Sequence, residues 1–299
     1  MTALALTALA VVLSLAAPVL LDRARWLEQV PQAAVVVWQS VALAAALSAI
    51  GAALAAPEEA LRALHGGELR FGPALFVGAG LALLLAGVIV VRLAVVTVRL
   101  ALDTRRRRRR HIEMLDLLHG ERRERSELDV LAAHLPLAYC IPAKPGRVVV
   151  TDATLDLLTP AEVDAVVAHE LAHLRARHDL VIEAFTALHV AFPQLVRSRL
   201  ALESVNRLLE MLADDIARRS VGAAPLRSAL AKLAGTADPE AEIDARLARL
   251  ARRPDHSAWP VRVAVLRATC GALALAVIAV PTIAVVTPWL QVAFDALPF

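Results

Sequence analysis

The sequence predicts an α-helical membrane protein: four transmembrane helices, with an α+β domain inserted between the third and the fourth. Three observations carry this. Apolar residues make up 58% of the 299, above the roughly 45–50% of a soluble domain. They are gathered into four runs, each near the ~20 residues a helix needs to cross about 30 Å of hydrocarbon. Between the third and fourth runs lies a long polar segment, 105–262, with short β-prone stretches and amphipathic helical periodicity.

The first run, residues 3–21, resembles a signal peptide in hydropathy but lacks its basic leading region; the first charges are Asp22, Arg23 and Arg25, after the run. The second run covers 33–56. A short loop of mixed charge is expected at 57–72, where Pro57, Gly66, Gly67 and Gly72 punctuate the chain. The third run spans 73–91 and extends as an apolar helix past Arg92 and Arg99 to the six arginines Arg105–Arg110. The fourth covers 268–288, preceded by Arg262 and Arg267, and leaves a short tail.

All of these arginines fall on one side if the four runs span alternately. The positive-inside rule makes that side the cytoplasm, with both termini and the 57–72 loop outside. Next to a span, Arg105–Arg110 read as a topology signal lying against anionic lipid headgroups, and no nucleic-acid binding is expected of them. Only two of the 32 basic residues are lysines, Lys144 and Lys232. Cys140 lies in a polar stretch and Cys270 inside an apolar run, so neither a disulfide nor a thiolate metal site is expected.

In the polar segment, "AYCI" and "RVVVT" flank a Pro142–Gly146 turn and predict a small hairpin. Arg147–Thr151 is the expected edge strand for an extended peptide. A helix should open after Thr159, with Thr159 as N-cap, Pro160 at its first position and Glu162 closing a capping box. Val163, Val166, Val167 and Leu171 give it a buried face.

That helix carries "HELAH". His169 and His173 are four residues apart, so both imidazoles project from one face, as two ligands of a tetrahedral zinc must. Glu170 is turned about 100° away, placed to act as a general base beside a metal rather than on it. This is the hydrolase reading of an HExxH motif. A third ligand of histidine type would sit at position 179, which is Asp; His178 is expected on a different face from His173. The helix in "SVNRLLEMLADDIARRS" offers Glu210 as third ligand and Asp214, four residues on, as the carboxylate that orients a ligating imidazole. Glu203 and Asp215 are substitutes. Arg218, His256 and Tyr139 are the candidates to stabilise an oxyanion.

These residues resemble the membrane-embedded zinc metallopeptidases of the BlaR/MecR antirepressor type. The stretch "RVVVTDATLDLLTPAEVDAVVAHELAHLRARHD" is similar to that family's strand, helix and zinc motif, and "LLEMLADDIA" to its ExxxD helix. The layout of three spans, a cytoplasmic domain and a fourth span is similar as well. The chain departs in carrying Ala213 before the Asp, His178 where an Asp is usual, and only 289–299 after the last span, where those sensors carry a penicillin-binding domain.

The resemblance implies a gluzincin-like zinc peptidase domain with one Zn2+ and a protein or peptide substrate, a BlaI-type repressor or the chain itself being the suggested targets. The sequence-level expectation is thus a multi-pass metalloendopeptidase of the cell membrane acting in regulatory signalling. A quality-control protease of the HtpX type shares both motifs and is the nearest alternative; a non-catalytic zinc-binding scaffold is the other.

Overall fold

A computed structural model describes residues 2–65, 72–118, 128–193, 196–234, 240–251 and 259–295. It divides into two compact units: 1–97 with 185–204 and 261–299, and 98–184 with 205–260.

The first unit holds most of the apolar helical residues, and residues 98–117 of the third apolar stretch belong to the second unit. Four stretches are long and apolar enough to cross a membrane: Thr2–Arg23, Pro31–Ala56, Val77–Leu117 and Val261–Thr287. The first is built from α1 (Thr2–Val11), a π-turn (Val12–Ala16) and α2 (Ala17–Arg23). Pro18 lacks the N–H that would bond the carbonyl of Ser14, so the helix widens there. The freed Ser14 oxygen accepts instead from the Arg197 N–H at 3.3 Å.

After a 3-10 turn (Arg25–Gln29), α3 (Pro31–His65) lies against α1. Its buried residues Ala34, Val37, Val41, Ala44 and Ser48 are spaced three and four apart, a seam of small side chains that lets apolar helices approach closely without a hydrophobic drive from lipid. Gly51 continues it: a Cβ there would stand 2.4 Å from Val285 Cγ2 and 3.2 Å from Leu6 Cδ1. The helix runs through Pro57 to His65, so the mixed-charge loop expected at 57–72 is helical over most of its length. Proline removes one bond, and the residues after it are good helix formers.

In the same way α4 (Gly72–Leu118) is a single helix carrying all six arginines, and the expected 104/105 boundary falls inside it. Arg92, within the apolar stretch, donates to the Ala191 carbonyl at 2.6 Å, so its head finds an acceptor on the protein. The last helix, Trp259–Asp295, outlasts the run read at 268–288, and most of the expected tail is helical.

The second unit contains β1 (Leu128–Leu131), β2 (Ala138–Ile141) and β3 (Arg147–Thr151) in the order β1-β3-β2. The hairpin is present as β2 antiparallel to β3. Strand β1 pairs parallel to β3, Leu128 opposite Val148. The expected edge strand is therefore the central one, and Arg147–Thr151 cannot receive a peptide by edge pairing. Val148, Val149 and Val150 are all fully buried, as an unbroken apolar run is when both sheet faces are covered. On one face Val149, Ile141 and Tyr139 pack on Ile112 and Leu115 of α4. On the other lies the helix bearing the histidines.

That helix is α6 (Pro160–Ala176), preceded by the short α5 (Asp152–Leu157) and followed by α7 (His178–Ala191), α8 (Ser198–Val221), α9 (Ala223–Leu233) and α10 (Glu240–Ala251). Val166 is buried with Leu158 and Ala229, and Val163 packs beside them. Ala165 meets Ala217, Leu226 and Leu250. Cys140 and Cys270 are both free.

Candidate metal centre and active site

The start of α6 is fixed as its sequence predicts: Glu162 Oε2 accepts from the Thr159 N–H at 2.7 Å. Glu162 also accepts from Lys232 Nζ at 2.7 Å and from Ser228 Oγ, both on α9. These contacts, the lysine's first, hold its carboxyl down at about 2. At the other end Arg177 takes the left-handed conformation, φ 52°, and its N–H caps the His173 and Leu174 carbonyls.

Between these ends the helix presents His169 and His173, and α8 brings Glu210 to them. His169 Nε2 lies 3.2 Å from His173 Nε2. Glu210 places Oε2 3.3 Å from His169 Nε2 and Oε1 3.3 Å from His173 Nε2. Ligands at zinc distances of about 2.0–2.1 Å in a tetrahedron are separated by about 3.3–3.4 Å along each edge. The three donors thus have the spacing and the chemistry, two imidazole nitrogens and a carboxylate, that one zinc ion fits.

Behind the donors stands a set of buried partners. Asp214 Oδ1 is 3.0 Å from His169 Nδ1. Arg246 of α10 donates from Nε to Asp214 Oδ2 at 2.8 Å and from Nη2 to Oδ1 at 2.7 Å, and its Nη1 is 3.1 Å from Glu210 Oε2. Burial raises the Asp214 carboxyl, but Arg246 and His169 more than reverse that and hold it well below the usual range. Glu210, half-buried and facing the same cations, is held at about 2.

His173 has its own support: its Nδ1 lies 3.0 Å from Nδ1 of His178. If His173 offers Nε2 as a ligand, its Nδ1 carries the proton and donates to His178. The expectation of a different face assumed an unbroken helix; the left-handed turn at Arg177 ends α6 and folds His178 back. His178 is 2% exposed and meets the far side of the ring, so it is not one of the converging donors.

Glu170 lines a cavity of about 170 Å3 together with His169, Glu210 and Arg246. Burial raises its pKa, partly offset by His169, which moves it toward the range where a carboxylate accepts a proton near neutrality. The Cys140 thiol, pushed up to about 12 by burial and by Glu170, stays protonated. The far wall of the cavity is apolar: Val166, Leu226, Leu230, Leu233 and Ile243.

The remaining sequence candidates lie elsewhere. Asp215 is held by Arg249 at 2.6 and 2.9 Å, and Glu203 pairs with Arg199 at 2.8 Å. Tyr139 points to the opposite sheet face, its hydroxyl 2.8 Å from His111. Arg218 does not line the cavity, and His256 lies outside the described residues. Sequence reasoning missed His178 and Arg246. For Arg246 a signal existed, because it shares the buried stripe of α10 with Ile243 and Leu250, and an arginine on such a stripe needs a partner.

The comparison with protein families agrees with this geometry. Residues 101–207 match Peptidase family M48. The matched segment, about a third of the chain, contains β1 to β3 and the whole of α6, and stops just short of Glu210. No curated protein matches the chain. No solved structure matches it either. The matched segment belongs to a chain with four helices long and apolar enough to cross a membrane.

Proposed function

We propose that the chain is a membrane-bound zinc endopeptidase in which His169, His173 and Glu210 hold the metal and Glu170 is the general base. The observation that carries this is the convergence of two imidazole nitrogens and a carboxylate at 3.2–3.3 Å with a partly buried Glu170, hydrogen-bonded by the Cys140 thiol, on the same cavity wall. A purely structural zinc site needs a fourth protein ligand and has no use for a base there.

Held by His169, His173 and Glu210, a zinc ion would supply a Lewis acid for the scissile carbonyl and for the attacking water. Glu170 takes the proton of that water and hands it to the leaving amine nitrogen. Asp214 and His178 fix the tautomers of His169 and His173, so that each Nε2 lone pair would be free to hold a metal. Arg246 keeps Asp214 ionised and Glu210 in place. The apolar wall accepts one large aliphatic or aromatic side chain beside the scissile bond, since an apolar cavity of about 150 Å3 takes up a benzene-sized group. Strand β2 pairs with β3 on one side only, so its other edge, beside α6, replaces β3 as the strand along which substrate extends.

The arginines flanking the spans favour a cytoplasmic active site. The narrower regulatory role, cleavage of a BlaI-type repressor or of the chain itself, rests on the BlaR/MecR resemblance. Comparing protein N-termini by mass spectrometry in cells carrying wild type or Glu170→Gln tests both levels. A few termini found only with wild type support a regulator, and many support an HtpX-like quality-control protease. Identical termini, with zinc bound to both proteins, refute the peptidase reading.

A further inference from the structure

A second cavity, about 670 Å3, lies away from the metal centre, walled by α4, the Pro142–Gly146 turn and the end of α6. Six of the side chains lining it are cationic and one, Glu113, is acidic. Glu113 is already taken by Arg109 at 2.8 Å. Arg108 is likewise committed, to Asp179 at 3.2 Å and to Glu183, and braces α4 against α7. Arg105, Lys144 and Arg175 come from three different elements, and none makes an ion pair among the described residues. All three are exposed and line the same cavity, so an anion entering it would meet three cations with no competing carboxylate.

The floor of the cavity is apolar, with Leu171 and Leu174 beneath the turn. A Cβ on Gly146 would stand 3.2 Å from Leu174 Cδ1, so glycine lets the turn settle onto that floor. A cationic rim over an apolar floor suits an amphiphile better than a free ion. The position along α4 says which one. Large apolar side chains stand exposed on this helix at short intervals from Val77 to Leu102 and, among the described residues, again only at Met114 and Leu117 beyond the arginines; the first stretch, about 38 Å long, is one that a tilted helix keeps against lipid. At 1.5 Å per residue, Arg105 to Arg109 lie about 4–11 Å beyond Leu102, within or just past the headgroup layer of about 5–8 Å on each side of the hydrocarbon.

We propose that this cavity binds the phosphate headgroup of an anionic phospholipid through Arg105, Lys144 and Arg175. This goes beyond general attraction of the arginine run to a charged surface, because only some arginines of that run line the cavity: Arg105, Arg108 and Arg109 do, and Arg106 and Arg110 do not. The site is independent of the peptidase reading.

The test uses the purified full-length chain and native mass spectrometry with phosphatidylglycerol as the probe, comparing the double variants Arg105→Glu/Arg175→Glu and Arg106→Glu/Arg110→Glu. Both change the net charge equally. The first should lose lipid retention at least about tenfold and the second less than about twofold. Equal losses would mean diffuse electrostatics and overturn the proposal. Lys144→Gln, on an exposed turn, guards against misfolding and should weaken retention alone; unchanged retention counts against the site. The source is separated by amine labelling of Lys144. Protection in nanodiscs with phosphatidylglycerol, but not in phosphatidylcholine nanodiscs with added inorganic phosphate, supports the lipid. Equal protection by inorganic phosphate would make this a free-phosphate site.

Discussion

Replacing Arg246 by methionine should do more damage than any other single change near the metal centre, and most of it in the metal-free protein. Methionine keeps an unbranched apolar chain in place but removes a guanidinium with two bonds to Asp214, at 2.7 and 2.8 Å, and a third contact to Glu210 at 3.1 Å. Asp214 is 1% exposed, so its carboxylate would be left buried with His169 as its remaining partner. Removing one member of a buried pair costs about 3–5 kcal/mol. For a unit of this size each kcal/mol lowers Tm by about 2–4 °C, giving a fall of roughly 6–20 °C. Bound zinc would recover part of the loss, because its charge offsets Glu210 and fixes His169. The assay is thermal unfolding of detergent-solubilised wild type and Arg246→Met, each with chelator and with zinc. A metal-free Arg246→Met melting within about 2 °C of wild type would refute the argument that this guanidinium compensates the buried Asp214 carboxylate.

Three further outcomes follow from the same contacts. His178→Ala should weaken zinc binding about 10–100-fold, measured by competition with a chromogenic chelator, and His178→Gln, which retains an acceptor, should recover most of it; equal losses would mean that His178 only fills space. In the metal-free protein burial lowers the pKa of His169, but Asp214 and Glu210 outweigh it and leave it at about 9, while burial holds His173 at about 4. With an unfolded value of about 6.5, the His169 contribution is complete below 6.5 and fades as pH rises toward 9. The His173 contribution is complete above 6.5 and fades as pH falls toward 4. Metal-free Tm should therefore peak near pH 6.5, and the gain on adding zinc should grow from pH 6.5 to 9, as scanning calorimetry at a series of pH values would reveal; a gain that shrinks over that range contradicts it. Gly51→Val puts a side chain where Val285 and Leu6 already stand and should destabilise the helical unit by about 1–3 kcal/mol, read as a lower unfolding temperature in detergent, whereas Gly80→Val, with open space around it, should be close to neutral.

Local patterns were enough for much of this protein. Long apolar runs announce helices that could span a bilayer, because in lipid the backbone must satisfy its own hydrogen bonds. Thr159, Pro160 and Glu162 mark the start of α6, and a separation of four residues puts His169 and His173 on one face; these depend only on helix geometry. Spacing offered Glu210 and Asp214 but left Glu203 and Asp215 open, and the fold is what brings Glu210 to the two histidines. Tertiary structure decided what depends on distant partners. Three buried valines make β3 the middle strand only because β1, in a register twenty residues earlier, pairs beside it. His178 reaches His173 only because one residue, Arg177, turns left-handed and ends the helix. Arg246 meets Asp214 from 32 residues away, since only a packed α10 can bring a guanidinium to a carboxylate that water no longer reaches.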